Sequence, residues 1–248
     1  MARIRIDLAL VQRGLVPSRE QAKRLIMAGE VFLGEELITK PGWLVRQDAA
    51  LRVKEPPRFV SRGGFKMEGA LEYFGIDVTG LTAMDVGAST GGFTDCLLQR
   101  GAVKVYAFDV GTNQMVWKLR SDPRVICREN FNVRHLVPAD VPESVDFIVA
   151  DVSFISLTLV LPGALSVLKP GGQALVLVKP QFELSREEVG KGGIVREPEL
   201  HVKACTRIQT FVESRPDLEW RGLVESSIQG TDGNREFLAW FAKRILPE

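Results

Sequence analysis

Short apolar runs alternate with stretches of helical periodicity along most of the chain. The apolar runs predict strands, which are 81–86, 103–108, 125–127, 145–150 and 174–178, with two later ones near 222–226 and 237–241. Met67, Ala70, Leu71 and Phe74 recur at the spacing of an amphipathic helix. Further helices are predicted between the strands, over 94–100, 114–119, 157–168 and 199–213. Such alternation predicts an α/β fold with a doubly wound, mostly parallel sheet.

The first 60 residues follow a different pattern. Ile6, Ala9 and Leu10 have helical spacing, and Ser18 after Pro17 has the features of an N-cap for a second helix that stops at Gly29. A small hairpin is predicted over 31–38, and the proline-bearing segment 54–58 is typical of a linker. We therefore predict a small α+β domain with its linker over residues 1–60 and the large sheet domain over 61–248.

The distribution of charge supports this division. Residues 1–66 contain 13 Lys and Arg against 7 Asp and Glu, whereas the remaining 182 residues contain 19 against 24. The net charge of the whole chain is only +1. A basic front on an acidic body favours a nucleic-acid partner for the front domain, and Arg19 and Lys23 lie one helical turn apart where they can reach neighbouring phosphates.

Composition narrows the class further. Hydrophobic residues make up 45% of the chain and charged residues 25%, which is typical of a globular protein. Three well-separated cysteines and two histidines predict no disulfide framework and no metal site, and favour a cytoplasmic location. The uncharged stretch 152–168 is shorter than a membrane span, and the N-terminal residues lack the apolar core of a signal peptide. We expect no membrane association.

A glycine-rich loop follows the first strand of the large domain. Its residues are candidates for cofactor binding: Asp85, Gly87, Ala88, Ser89, Thr90, Gly91, Gly92 and Phe93. Asp109 ends the next strand, where a carboxylate can accept hydrogen bonds from ribose hydroxyls, and Asn130 or Glu129 after the third strand is a weaker candidate for an adenine contact. The loop matches neither the dinucleotide fingerprint nor a phosphate loop. It predicts a nucleoside-bearing cofactor.

Lys66, Asp151, Lys179 and Glu236 form the candidate catalytic set. Each alone has an ordinary structural explanation, such as a surface lysine or a helix cap. Because ligands of doubly wound sheets lie beyond the carboxyl ends of the strands, Asp151 and Lys179 at two such ends are expected near the glycine loop.

These motifs resemble known families. The SRExAxxLIxxGxVFLG pattern resembles the ribosomal-protein-S4-like RNA-binding domain, which implies RNA contacts by Arg5, Arg19, Lys23 and Arg24. DVGASTGGFTD is similar to the S-adenosylmethionine loop of Rossmann-like methyltransferases, although Thr90 stands where related enzymes often carry proline.

The four candidate catalytic residues resemble the tetrad of FtsJ-type ribose methyltransferases. With ADVSF, VKPQFE and GKGGIVRE, the whole chain resembles the TlyA/hemolysin A family. The resemblance implies S-adenosylmethionine-dependent 2′-O-methylation of ribosomal RNA at a cytidine. The sequence does not indicate whether the acceptor is free RNA, a ribosomal subunit or a whole ribosome. Lys179 would be the base, Asp151 and Lys66 would orient it and the substrate, and Glu236 would complete the network.

Other interpretations remain. The protein is alternatively an RNA-binding protein with a vestigial cofactor site, a membrane-active haemolysin, or a base methyltransferase. Retention of all four candidate residues argues against the first, the absence of a membrane span against the second, and Asp151-Val152-Ser153-Phe154 in place of an NPPF/Y-like motif against the third. The polar segment 181–199 is interpreted as a lid or as a merely mobile loop. The sequence does not indicate the oligomeric state.

Overall fold

The computed structural model describes residues 3–55, 57–230 and 232–245. The chain divides into two compact units, Met1–Arg58 and Phe59–Glu248. None of the helices in these described ranges combines the length and apolar character needed to cross a bilayer.

The first unit packs two helices against short antiparallel strands. The helices are α1 (Ile6–Gln12) and α2 (Arg19–Met27). The strands are β1 (Arg3–Arg5), β2 (Val31–Leu33), β3 (Glu36–Ile38), β4 (Leu44–Arg46) and β5 (Leu51–Val53). β2 lies between β3 and β5, and β1 pairs with β4. Ser18 accepts a hydrogen bond from the Gln21 N–H at 3.2 Å and so begins α2, as its position in the sequence predicts.

The second unit is built on a seven-stranded sheet within its described residues. The strands are β6 (Thr82–Val86), β7 (Lys104–Phe108), β8 (Val125–Arg128), β9 (Val145–Ala150), β10 (Leu168–Val178), β11 (Leu218–Glu225) and β12 (Phe237–Lys243). Their order across the sheet is β11-β12-β10-β9-β6-β7-β8. β10, β9, β6, β7 and β8 are parallel, whereas β11 and β12 are antiparallel to their neighbours. The predicted doubly wound α/β fold is confirmed.

Helices cover both faces of this sheet. They are α3 (Gly63–Phe74), α4 (Gly92–Gln99), α5 (Trp117–Arg120), α6 (Leu157–Leu165), α7 (Pro180–Glu183) and α8 (Pro198–Glu213). Alternate strand residues point into different cores: in β9, Ile148 packs in one hydrophobic cluster and Phe147 and Val149 in the other. A strand buried on both faces must be apolar throughout, which explains the continuous apolar runs in the sequence.

Two predicted helices are shorter than their sequence patterns suggest. The predicted helix 114–119 is wrong at its start, because the N–H groups of Gln114 and Met115 donate to the Glu129 carboxylate, and α5 begins only at Trp117. The helix predicted over 157–168 ends at Leu165, because Leu168 already pairs with Val145 in the sheet. β1, β4 and β5 are absent from the sequence-based assignment, since a three-residue strand outside a recognisable hairpin carries almost no periodic signal.

The topology gathers several chain segments at one edge. The chain runs from β6 outward to β8 and then crosses to β9 on the other side of β6, which creates a switch point beyond the end of β6. β12 runs in the opposite direction, with Phe237 paired to Val178. Glu236 immediately before β12 therefore reaches the same edge as Lys179 immediately after β10.

Candidate active site

The loop after β6 requires glycine at its first position. Gly87 has φ of +79°, and a Cβ there would lie 2.5 Å from the carbonyl oxygen of Asp151. The N–H groups of Gly87 and Ala88 both donate to the Phe108 carbonyl, at 2.8 and 3.0 Å. The backbone therefore turns tightly over the ends of the neighbouring strands, which only glycine permits.

The loop forms one wall of a cavity of about 520 Å³, which we call the central cavity. Several of the predicted cofactor residues line it: Asp85, Gly87, Ala88, Ser89, Thr90, Gly92 and Phe93. Gly91 is not among its lining residues. It has φ of +98°, and a Cβ there would meet the Leu119 side chain, so Gly91 turns the chain into α4.

Asp85 is a fully buried carboxylate at the end of β6. Burial raises the pKa of Asp85 to about 7, and the charges of Asp151 and Asp109 act in the same direction. The N–H and hydroxyl of Thr94 donate to its Oδ2 at 3.0 and 2.7 Å, while Oδ1 has no hydrogen-bond partner among the described residues. An unpartnered oxygen at a cavity wall fits a ligand that donates a hydrogen bond.

Asp109 borders a second cavity on the other side of the loop. It accepts hydrogen bonds from the N–H groups of Ser89 and Gly111, both at 2.7 Å, so it fixes the shape of the glycine loop. This second cavity of about 450 Å³ has a largely apolar lining, which includes Phe108, Asp109, Phe131, Asn132, Val152, Phe154 and Ile155. An apolar slot with a carboxylate at its rim suits a heterocyclic base attached to a ribose.

The two residues directly after β8 make hydrogen bonds within the protein. Asn130 and Glu129 are not among the lining residues of either cavity. Hydrogen bonds from the Arg120 guanidinium and from backbone N–H groups before α5 lower the pKa of Glu129 to about 2, and through them this carboxylate organises that segment. Asn130 accepts a hydrogen bond from Thr112 at 2.7 Å. Phe131 and Asn132, one and two residues further on, line the second cavity instead.

Lys66, Asp151, Lys179 and Glu236 all line the central cavity. The Lys66 Nζ lies 2.5 Å from Glu236 Oε2 in a buried ion pair. The Lys179 Nζ lies 2.6 Å from Asp151 Oδ1 and donates to Ser153 at 3.0 Å. α3 and the ends of β9, β10 and β12 thus bring four residues distant in sequence into two lysine–carboxylate pairs around one cavity.

A third cavity adjoins the central one and shares Lys179, Ser153 and Glu236 with it. Phe154 lies at its rim, with φ of +64° and 92% of its surface exposed. Its ring contacts the Phe182 ring at a centroid distance of 5.1 Å. An aromatic residue held in left-handed backbone and turned outward is unusual, and it presents a free ring face beside Lys179.

Asp7 organises two of the arginines predicted to bind RNA. This carboxylate is fully buried in the first unit and accepts hydrogen bonds from Arg5 at 3.0 and 3.1 Å and from Arg19 at 2.9 Å. Burial acts to raise the pKa of Asp7, but the two guanidinium groups together hold it below its ordinary value. Lys23 and Arg24 are exposed on α2. Arg5 and Arg19 therefore have a structural role, which sequence spacing does not indicate.

Comparisons with known proteins match both units. The FtsJ-like methyltransferase family matches residues 59–243, and the S4 domain matches residues 4–51. The 16S/23S rRNA (cytidine-2′-O)-methyltransferase TlyA of Mycobacterium tuberculosis is 43% identical over 96% of this chain and 89% of its own length. Hemolysin A of Brachyspira hyodysenteriae is 39% identical over 96% of this chain and 99% of its own.

A solved structure is also similar over the whole chain. It is a Streptococcus thermophilus protein described as a hemolysin, with 47% identity and a TM-score of 0.74. The match covers 100% of this chain and 90% of the other. The likeness therefore extends through both units and is not restricted to the sheet domain.

Proposed function

Because the chain belongs to the FtsJ-like methyltransferase family and carries an S4 domain, we propose that it methylates the ribose 2′-hydroxyl of a cytidine in ribosomal RNA. The observation that supports this most is the pair of lysine–carboxylate contacts around the cavity bounded by the glycine loop. A relative that is 43% identical over 96% of this chain is an rRNA (cytidine-2′-O)-methyltransferase.

S-adenosylmethionine fits the residues present. The Gly87 turn allows the backbone to approach a ligand without a Cβ, Asp85 offers an unpartnered oxygen, and the second cavity beside Asp109 has room for an adenosine. When bound, this cofactor supplies an electrophilic methyl group. We propose that the loop from Gly87 to Phe93 holds it, and that the ribose hydroxyls donate to Asp109. We place the adenine among Phe108, Phe131 and Val152.

The remaining chemical task is to activate a weakly acidic alcohol. A ribose hydroxyl becomes a good nucleophile only as its proton leaves. We propose that Lys179 Nζ takes this proton, which requires the lysine to enter the step in its neutral form. Asp151 and Ser153 orient the Nζ, and the buried Lys66–Glu236 pair lines the same cavity. No step in this scheme needs a metal ion.

The RNA is proposed to enter through the third cavity. The exposed ring of Phe154, backed by Phe182, offers a stacking face to a base beside Lys179. In the first unit, Lys23 and Arg24 supply exposed cations for phosphates, and Arg5 and Arg19 retain outward N–H groups. We propose that residues 1–60 bind RNA and that residues 61–248 carry out the methyl transfer. A ribosomal substrate would place the protein in the cytoplasm.

Three alternative functions are less well supported. A vestigial site would have no reason to retain both ion pairs around one cavity. A membrane-active haemolysin is suggested only by the names of relatives. A base methyltransferase would need polar groups aimed at a nucleobase next to the cofactor. At the central cavity, Asp151 and Ser153 instead contact Lys179 Nζ, the proposed proton acceptor.

Incubation of ribosomal subunits with labelled S-adenosylmethionine tests the proposal. We expect label in RNA, and digestion to nucleosides should release 2′-O-methylcytidine. Label on a nucleobase would instead indicate the base-methyltransferase alternative. Lys179→Ala and Lys179→Arg should bind S-adenosylmethionine as the wild type does and transfer no methyl group. Full methylation by either variant would exclude Lys179 as the base.

A further inference from the structure

The Asn234 side chain connects the segment around Gly193 and Val195 to the turn that carries Glu236. The proposed mechanism does not use this connection. Asn234 is 2% exposed, and its Oδ1 accepts a hydrogen bond from the Val195 N–H at 2.9 Å. Its Nδ2 donates to the Gly193 carbonyl at 2.9 Å. A single amide thus satisfies a donor and an acceptor of the glycine segment, defined here as Gly190–Val195, from 39 and 41 positions further along the chain.

The glycine segment needs this anchor. Gly192 and Gly193 have φ of +82° and +76°, and a Cβ at either position would have no atoms within 4 Å, so side-chain packing does not hold them. Val195 is buried, and its carbonyl oxygen lies 2.9 Å from His201 Nε2. Asn234 on one side and His201 on the other therefore fix the segment, which forms part of the wall of the third cavity.

Asn234 is also tied to Glu236. Its own carbonyl accepts the Gly230 N–H at 2.8 Å, and a Cβ on Gly230 would lie 2.6 Å from Glu236 Oε1. The Glu236 carboxylate is thus seated directly against Gly230, and it pairs with Lys66 from there. Movement of Asn234 would shift Gly230, and the seat of the Glu236 carboxylate would shift with it.

We propose that Asn234 is a positioning residue that couples the glycine segment to the Lys66–Glu236 pair. The inference deepens the proposed function and rests on it. When the glycine segment is in place, both amide bonds of Asn234 form and the Glu236 carboxylate is held at the central cavity. When the segment is displaced, Asn234 loses two buried hydrogen bonds and the turn that carries Glu236 loosens. RNA that contacts the third cavity would thereby complete the central cavity.

Two variants test this coupling, Asn234→Ala and Asn234→Asp. The control variant is Gln173→Ala. Asn234→Ala removes both bonds, whereas Asn234→Asp keeps an acceptor for the Val195 N–H. Gln173 lies in the middle of β10, six positions before Lys179, and accepts a hydrogen bond from Trp240 Nε1 at 2.8 Å, so its loss weakens the same domain away from the site. Thermal unfolding of each variant defines a temperature at which all are folded.

At that temperature we expect Asn234→Ala to bind S-adenosylmethionine normally but to lower kcat on ribosomal RNA by roughly tenfold or more, as displacement of one positioned group does. Asn234→Asp should recover part of kcat. The proposal is overturned if kcat of Asn234→Ala stays within about twofold of Gln173→Ala. Amide exchange by NMR gives a readout without turnover: in Asn234→Ala, the Val195 and Gly230 amides should both exchange faster. If the wild-type protein does not methylate RNA, the proposed function fails, but the exchange measurement still tests the coupling. Faster exchange at Val195 without faster exchange at Gly230 overturns the coupling.

Discussion

Lys66 and Glu236 are 170 positions apart in sequence, yet their side chains form an ion pair of 2.5 Å with 10% and 4% of their surfaces exposed. Removal of one partner leaves a buried charge without its counterion. We expect Lys66→Met or Glu236→Leu alone to lower the free energy of unfolding by about 3 kcal/mol, and the double variant to lose less than the sum. Urea denaturation measures all three.

The exposed pair Arg221 and Glu219, 3.1 Å apart, is the control for this experiment. Because water screens it, its loss should change stability by no more than about 0.5 kcal/mol. Additive losses in the Lys66 and Glu236 variants would show that the buried pair is not energetically coupled.

Gly87→Ala should destabilise the protein and abolish S-adenosylmethionine binding, because its Cβ would lie 2.5 Å from the Asp151 carbonyl oxygen. Gly80→Ala is the matched control: Gly80 has nearly the same φ, +76°, but open space around its Cβ position. The control should lose only about 1–2 kcal/mol from backbone strain and retain cofactor binding. Calorimetric titration with S-adenosylmethionine compares the two, and equal binding by both variants would contradict the close approach at Gly87.

Asp85 should make stability depend on pH. Burial raises the pKa of Asp85 from 3.8 to about 7. Between pH 3.8 and about pH 7, Asp85 is therefore protonated in the folded protein and ionised in the unfolded chain. The free energy of unfolding therefore falls as pH rises through this window, by up to about 1.4 kcal/mol per pH unit, and this contribution is lost above it. The Asp85→Asn variant has no carboxyl group at this position, so it lacks this pH-dependent contribution to stability.

Denaturant unfolding of wild type and Asp85→Asn at several pH values isolates this effect, because other groups titrate in both proteins. These include Glu183, whose pKa is also raised by burial. The stability advantage of wild type over the variant should shrink from about pH 4 to 7. Parallel stability curves would mean that Asp85 keeps an ordinary pKa.

Lys23→Ala and Arg19→Ala should weaken RNA binding in different ways. Lys23 is exposed on α2, so its loss should lower affinity and reduce the salt dependence of binding by roughly one counterion without changing stability. Arg19 also pairs with buried Asp7, so Arg19→Ala should additionally lower the free energy of unfolding, by about 1–3 kcal/mol. Binding titrations at several salt concentrations, with thermal unfolding, separate the two. An unchanged melting temperature in Arg19→Ala would contradict the role of the Asp7 contact.

Sequence periodicity predicts the fold well where strands are buried on both faces. The runs at 82–86 and 145–150 lie in the centre of the sheet, where their backbone groups pair with neighbouring strands on both sides. It fails where a side chain takes over backbone hydrogen bonds, as Glu129 does for Gln114 and Met115. Such a contact joins residues about 15 positions apart and leaves no periodic signal.

The sequence predicts that the four candidate residues meet at one site, but it does not predict how they pair. Topology places Asp151 and Lys179 at one sheet edge by the strand-end rule, whereas Lys66 and Glu236 entered through family resemblance. Neither argument indicates that Lys66 contacts Glu236 and that Lys179 contacts Asp151. The adenine contact at Asn130 stays a prediction; Phe131 and Asn132, which follow the left-handed backbone of Asn130 (φ of +55°), line the second cavity.

The position of β12 has a consequence during protein synthesis. β12 is inserted between β10 and β11, so β11 joins the sheet only through a strand that is translated after it. A nascent chain that has not reached Glu236 carries the whole glycine loop, but the edge of its sheet at β10 is open and Lys66 lacks Glu236 as its counterion. Premature termination would thus yield an incompletely folded polypeptide exposed to quality-control proteases rather than a partly active methyltransferase.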